Sequence, residues 1–146
     1  MYRLFILMLL ATPLIGCDND VASSEIPSVV ENTFESHFPY AMDVEWEKKG
    51  DDFEVDFEVE KTDYSARIDP AGTMLGYKYE IAHEAIPASI LAFLNTEYSN
   101  KKWDDPEILV QDKNSYYQIE IDGFLNDKKI VLDSEGKSIE NIKNWN

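Results

Sequence analysis

The chain has 146 residues, with 13 basic and 29 acidic side chains and a formal charge of −16. That length supports one compact domain or two intimate halves, and a 44% apolar fraction supplies a core without disulfides, which a single cysteine, Cys17, cannot form. The charge argues against nucleic acid as a partner, because phosphate backbones are bound by clustered Lys and Arg, and it leaves basic proteins, cations or solubility alone as its purpose.

Residues 1–16 open with Met1-Tyr2-Arg3 and continue as an apolar run from Leu4 to Ile15. A spanning helix needs about twenty apolar residues, so the run fits an export signal instead. Leu14-Ile15-Gly16-Cys17 then resembles the lipobox of bacterial lipoproteins, placed directly behind that run and using the one cysteine. The resemblance implies cleavage before Cys17 by signal peptidase II and lipid on its thiol. The mature chain would be exported and lipid-anchored in the bacterial cell envelope, on the periplasmic or outer-surface face of a membrane. Two or three acyl chains anchor stably, at about 0.8 kcal/mol per buried CH₂. Residues 17–25 are small and polar and read as a tether.

The remaining chain is written as two similar units, residues 26–82 and 83–146. Ile26, Val30, Phe34 and Phe38 recur every four residues behind Pro27, and Ile86, Ile90, Leu94 and Tyr98 repeat this behind Pro87 at an offset of 60. Each stripe predicts a helix, with proline suited to its first position. The period then changes to two. Phe53, Val55, Phe57 and Val59 alternate with Glu54, Asp56, Glu58 and Glu60, predicting a half-buried strand with a wholly acidic outer face. Tyr117, Ile119 and Ile121 repeat it at an offset of 64, which places four extra residues around Lys101 to Pro106. Flanking strands are expected at Val44 and Trp46, at Tyr64, Ala66 and Ile68, and at Leu75, Tyr77 and Tyr79. Their counterparts are Ile108 and Val110, then Lys128, Ile130 and Leu132, while Ile139 and Ile142 predict a bulge or an early end. Asp69-Pro70-Ala71-Gly72 and Asp133-Ser134-Glu135-Gly136 read as equivalent turns closed by a positive-φ glycine. The expected fold class is α+β: two tandem helix-plus-four-antiparallel-strand repeats forming one sheet with both helices on one face.

The Ile-Pro helix start, Phe38-Pro39, the Trp46 strand, Phe53-Glu54-Val55 and Asp69-Pro70-Ala71-Gly72 together resemble the PepSY-like family, whose members are also likened to beta-lactamase-inhibitor protein. That resemblance covers residues 26 to 143 and implies an exported bacterial protein whose open sheet face grips another protein. It carries over no binding residues, and this chain lacks the disulfides of the inhibitor.

A catalytic constellation is absent from the sequence. His37 and His83 fall in different elements, Cys17 is committed to lipid, and no phosphate loop, nucleophile elbow or His-Glu-x-x-His occurs. No cofactor or metal ligand set is assigned. Asp18-Asn19-Asp20, Asp51-Asp52 and Asp104-Asp105 have the oxygen-rich composition calcium prefers without the loop spacing that holds it. Trp103, Tyr116 and Trp145 fall outside core parity and are the candidate partner contacts. The expectation is a non-enzymatic envelope module that binds a protein or peptide, with acidic calcium binding as the alternative.

Overall fold

The computed structural model describes residues 21–142 and Trp145; Cys17, the export signal and Asp18-Asn19-Asp20 lie outside the described residues. Two helices, α1 (Ser28–His37) and α2 (Ala88–Glu97), accompany seven strands. These are β1 (Met42–Lys49), β2 (Asp52–Val59), β3 (Thr62–Ile68), β4 (Met74–Glu80), β5 (Trp103–Gln111), β6 (Asn114–Ile121) and β7 (Lys128–Leu132). The strands form one sheet in sequence order, each antiparallel to the next.

Both helices begin as the sequence reads, with one refinement. Pro27 and Pro87 are the residues before the first turn, and their carbonyls accept the first helical N–H groups of Val30 and Glu31, and of Ile90 and Leu91. Phe38 and Tyr98 close the helices as caps, each donating its N–H to the carbonyl four residues back at 2.9 Å. In α1 the following Pro39 cannot continue the ladder and biases Phe38 out of helical geometry.

Each helix covers its own apolar cluster. Val30 and Phe34 of α1 pack on Trp46, Phe53, Val55, Phe57, Ala66 and Ile68. Ile90 and Leu94 of α2 pack on Ile119, Ile121, Ile130 and Leu132. Burying each large side chain stabilises the fold by roughly 1.5–3 kcal/mol. The two glycine turns do more than reverse the chain. Gly72 (φ +84°) and Gly136 (φ +83°) bring the turns against the helices, where a Cβ would lie 2.6 Å from Val29 Cγ2 and 2.8 Å from the Ser89 carbonyl oxygen. Thr33 donates its hydroxyl to the Gly72 carbonyl and Ser89 donates to that of Ser134, both at 2.8 Å.

Three expectations are corrected. The second half contributes three strands and not four, although the early end expected at Ile139 and Ile142 is observed: the last strand is reduced to a Leu132–Ser138 bridge and an Ile139 N–H bond to the Val131 carbonyl at 2.9 Å. Ile139 and Ile142 instead turn onto the opposite face, beside Val131 and Trp145. The four extra residues do not lie in 101–106. Val21 donates to the Trp46 carbonyl and Ile81 to that of Pro106, both at 2.9 Å, so the offset of 60 persists through Pro106. It becomes 64 by Tyr117, which places the insertion in the β5–β6 hairpin, lengthened by two residues on each strand. Finally, the acidic row on β2 is not uniform: Glu60 leaves the strand for a positive-φ turn with Lys61, and Glu54 is buried.

Candidate binding face

The side of the sheet away from the helices holds the polar chemistry. Residues paired across antiparallel strands share a face. Glu54 opposite Arg67, Arg67 opposite Gly76, Lys78 opposite Leu109, and Glu107 opposite Gln118 therefore run across this side. At its middle sits Trp145, only 7% exposed, flanked by Leu109 and Val131. The ring packs over Gly76, where a Cβ would lie 3.4 Å from Trp145 Cζ3, an ordinary contact, but only 2.8 Å from the Val110 carbonyl oxygen, so glycine there serves the close approach of β5.

Every polar contact to Trp145 is supplied by this row. Its indole N–H donates to Glu54 Oε2 at 2.8 Å, and the Arg67 guanidinium lies 4.6 Å above the ring. Gln118, fully buried, accepts the Trp145 backbone N–H at 2.7 Å and donates to its carbonyl at 2.9 Å. The same Gln118 amide donates to Glu107 Oε2 at 2.6 Å, while Lys78 pairs with Glu107 Oε1 at 2.8 Å. Arg67 also donates to Glu54 through Nε at 3.1 Å and through its terminal nitrogen. No buried side-chain N or O among the described residues is left without a partner. Burying such charges costs several kcal/mol unless they are paired in this way.

Beside this network the face opens into a concavity of about 420 Å³. Asp43, Glu45, Asp56, Glu58, Asp63, Glu80 and Glu107 supply seven carboxylates, against the ammonium of Lys78. Asp43 and Asp105 mark bulges in β1 and β5, each at positive φ, which increase the local twist at this end of the sheet. Tyr40 and Met42 at one corner, and Phe124 and Leu125 in the β6–β7 loop, stand exposed at the same end of the strands.

The candidate partner residues are not brought together. Trp103 is half-buried on the helix side, stacked on His83 with ring centroids 4.8 Å apart. His83 Nε2 is 3.2 Å from Asp104 Oδ1; the Asp105 backbone N–H and then His83 hold the Asp104 carboxyl below its usual pKa. Tyr116 lies on the helix-free face, half-buried against the cluster of Leu109, Val131 and Trp145. Trp145 is engaged within its own chain. His37 ends α1, with Nδ1 2.8 Å from the Thr33 carbonyl. No three His, Cys, Asp or Glu side chains converge as metal ligands among the described residues, so nothing there supports the calcium alternative. Sequence reasoning missed Glu54, Arg67, Lys78, Glu107 and Gln118. One signal was available: Arg67 is the only arginine beyond Arg3, and it stands opposite Glu54 at outward parity.

No protein-family model matches the chain, and no curated protein matches it in sequence. Solved structures match the fold. A DUF2874 family protein from Bacteroides uniformis superposes with a TM-score of 0.71 at 17% identity, covering 78% of this chain and 86% of that one. A BLIP-like protein from Bacteroides fragilis gives 0.67 at 16% identity, covering 82% and 91%. A candidate periplasmic protein from Bacteroides eggerthii gives 0.71 at 13% identity, covering 78% and 86%. This chain therefore has a fold similar to that of beta-lactamase-inhibitor-like proteins.

Proposed function

We propose that the protein is a lipid-anchored module of the bacterial cell envelope that binds a protein partner through its helix-free sheet face. The observation that carries this reading is the open concavity lined by seven carboxylates and one ammonium. Such a surface is complementary to a basic ridge, steers its approach and rejects acidic surfaces. The exposed apolar residues at the same end are suited to anchor the contact, as buried aromatic and aliphatic side chains do in interfaces. The BLIP-like neighbour and the candidate periplasmic neighbour favour this reading, as does the lipobox-like Leu14 to Cys17. In this view the two halves descend from one duplicated PepSY-like unit, and the protein acts by binding rather than by catalysis.

The test is a photocrosslinking amino acid placed at Glu58 in the full chain, expressed in its own envelope. A discrete adduct is expected, weakened at least about tenfold by the double reversal D56K/E58K, since like-charge juxtaposition costs several kcal/mol. A chain that is folded and exported yet gives no discrete adduct would sink the reading. Replacing Cys17 by Ser should move the chain from the membrane to the soluble fraction.

A further inference from the structure

We propose that the sheet stands on a lipid surface by its β1 edge, held there by a tether of three residues. This goes beyond the binding-face reading and rests on one part of it, the lipid on Cys17. Of the stretch 17–25 that reads in sequence as a tether, the structure fixes the second half. Val21 donates its N–H to the Trp46 carbonyl of β1 at 2.9 Å and packs on the cluster beneath α1. The Ala22 carbonyl accepts the Glu25 N–H at 2.8 Å across a 3₁₀ turn, Ser23–Glu25, and Ile26 is buried. The docking of Val21 is a feature of the fold. Ile81, at the offset of 60, makes the same bond to Pro106 at 2.9 Å and packs on the cluster beneath α2.

Only Asp18, Asn19 and Asp20 separate Cys17 from Val21. Steps of at most about 3.6 Å per residue keep the two within about 14 Å of each other, whatever path the chain takes. Lipid on Cys17 therefore brings the edge strand, ahead of the rest of the sheet, to the headgroups. The edge is suited to them. Of the seven exposed large apolar side chains among the described residues, Tyr40, Met42 and Val44 lie within six residues of Trp46. The opposite edge differs, since β7 begins with Lys128 and Lys129 and ends in its Leu132–Ser138 bridge. With a formal charge of −16 the chain has no attraction of its own to anionic headgroups, so the contact depends on the high effective concentration that a short tether imposes. A sheet resting on its edge strand holds both faces steeply to the membrane, which leaves the helix-free face open to a partner. Of the exposed apolar residues at the binding end, Tyr40 and Met42 then belong to the lipid side, and Phe124 and Leu125 to the partner.

The probe is a bulky, water-soluble maleimide applied to the full chain anchored on vesicles of phosphatidylethanolamine and phosphatidylglycerol. A new thiol is supplied by Val44→Cys or, on the opposite edge, by Lys128→Cys. Cys17 carries its lipid in thioether linkage and cannot react, so the new thiol alone is read. Relative to the same variant in a Cys17→Ser chain free in solution, Val44→Cys should react at least about fivefold more slowly on vesicles, as a contact populated most of the time requires. Lys128→Cys should slow by less than about twofold. A Gly-Ser spacer of about twelve residues between Asp20 and Val21 adds about 20 Å of reach and should restore the Val44→Cys rate. Equal slowing at both edges, or none at Val44→Cys, overturns the proposal, and slowing that survives the spacer overturns the tether as its cause. Should Val44→Cys fail to fold, Met42→Cys takes its place. Maleimide uptake by the wild-type chain at Cys17 would remove the lipid reading and the proposal with it. An unlabelled wild-type chain with a fast Val44→Cys removes only the edge contact, and the Glu58 adduct tests the binding face separately.

Discussion

The two faces of the sheet are closed by opposite means. Beneath α1, Phe34 meets Trp46 and Phe57 edge-on at ring distances of 5.4 and 5.0 Å, in a layer with no charged group. On the other face one aromatic ring is held by a carboxylate, a guanidinium and an amide. The first arrangement depends on filling volume, and its loss leaves a void. The second combines pairing with apolar packing, and its loss leaves polar groups that water can reach beside the smaller apolar cluster of Leu109 and Val131. Filled volume therefore holds the helix side, and paired polar groups set around a small apolar cluster hold the side without helices.

The comparison breaks most sharply at its two aromatic centres. Phe34→Ala should destabilise the fold by about 3–5 kcal/mol, the cost of a large cavity under a helix. Trp145→Ala should cost about 1–3 kcal/mol, because the vacated groups rehydrate. Urea unfolding of both variants measures this; equal losses would mean that the helix-free face is as much a core as the other.

How far this contrast was legible follows from parity. Period four and period two located both helices and the strands, because one face of each element had to be apolar. The same parity assigned Glu54 to water, since alternation reports which face a side chain takes and not what later covers that face. The cover is Trp145, 91 residues away in sequence from Glu54, a contact no local pattern encodes. The insertion was misplaced for a related reason. Trp103 disturbed the alternation where it is visible, whereas the lengthened β5–β6 hairpin keeps perfect alternation and hides its extra residues.

The glycine turns sharpen the helix-side half of the comparison. Gly72→Ala should cost about 1–3 kcal/mol, since it strains a positive φ and drives a methyl into Val29. Gly136→Ala should cost a similar amount against the Ser89 carbonyl. Gly50, also at positive φ but with nothing within 4 Å of its Cβ position, should show only the backbone part, about 1 kcal/mol. A Gly50→Ala loss equal to the other two would show that turn strain, and not helix docking, governs all three.

The smallest effect is expected where the two helix-covered clusters meet. Tyr64 and Tyr79 stack with ring centroids 5.0 Å apart near the β4–β5 seam, and Tyr77 lies 6.5 Å from Tyr79. Burial pushes the hydroxyls of Tyr64 and Tyr79 above the ordinary tyrosine value of 10.0, with neighbouring phenols adding to the shift. A raised pKa means that the folded chain keeps protons the unfolded chain would release. Stability from these groups is thus level below pH 10.0 and falls as pH rises through their folded-state values. Alkaline titration of tyrosinate absorbance should show two late groups, and Tyr79→Phe should remove one while leaving Tyr64 late, because burial is its leading cause. If Tyr64 returned to the ordinary value in that variant, the seam would be a charge-coupled pair open to water. The contrast between a dry helix side and a wet opposite face would then hold only beneath the helices themselves.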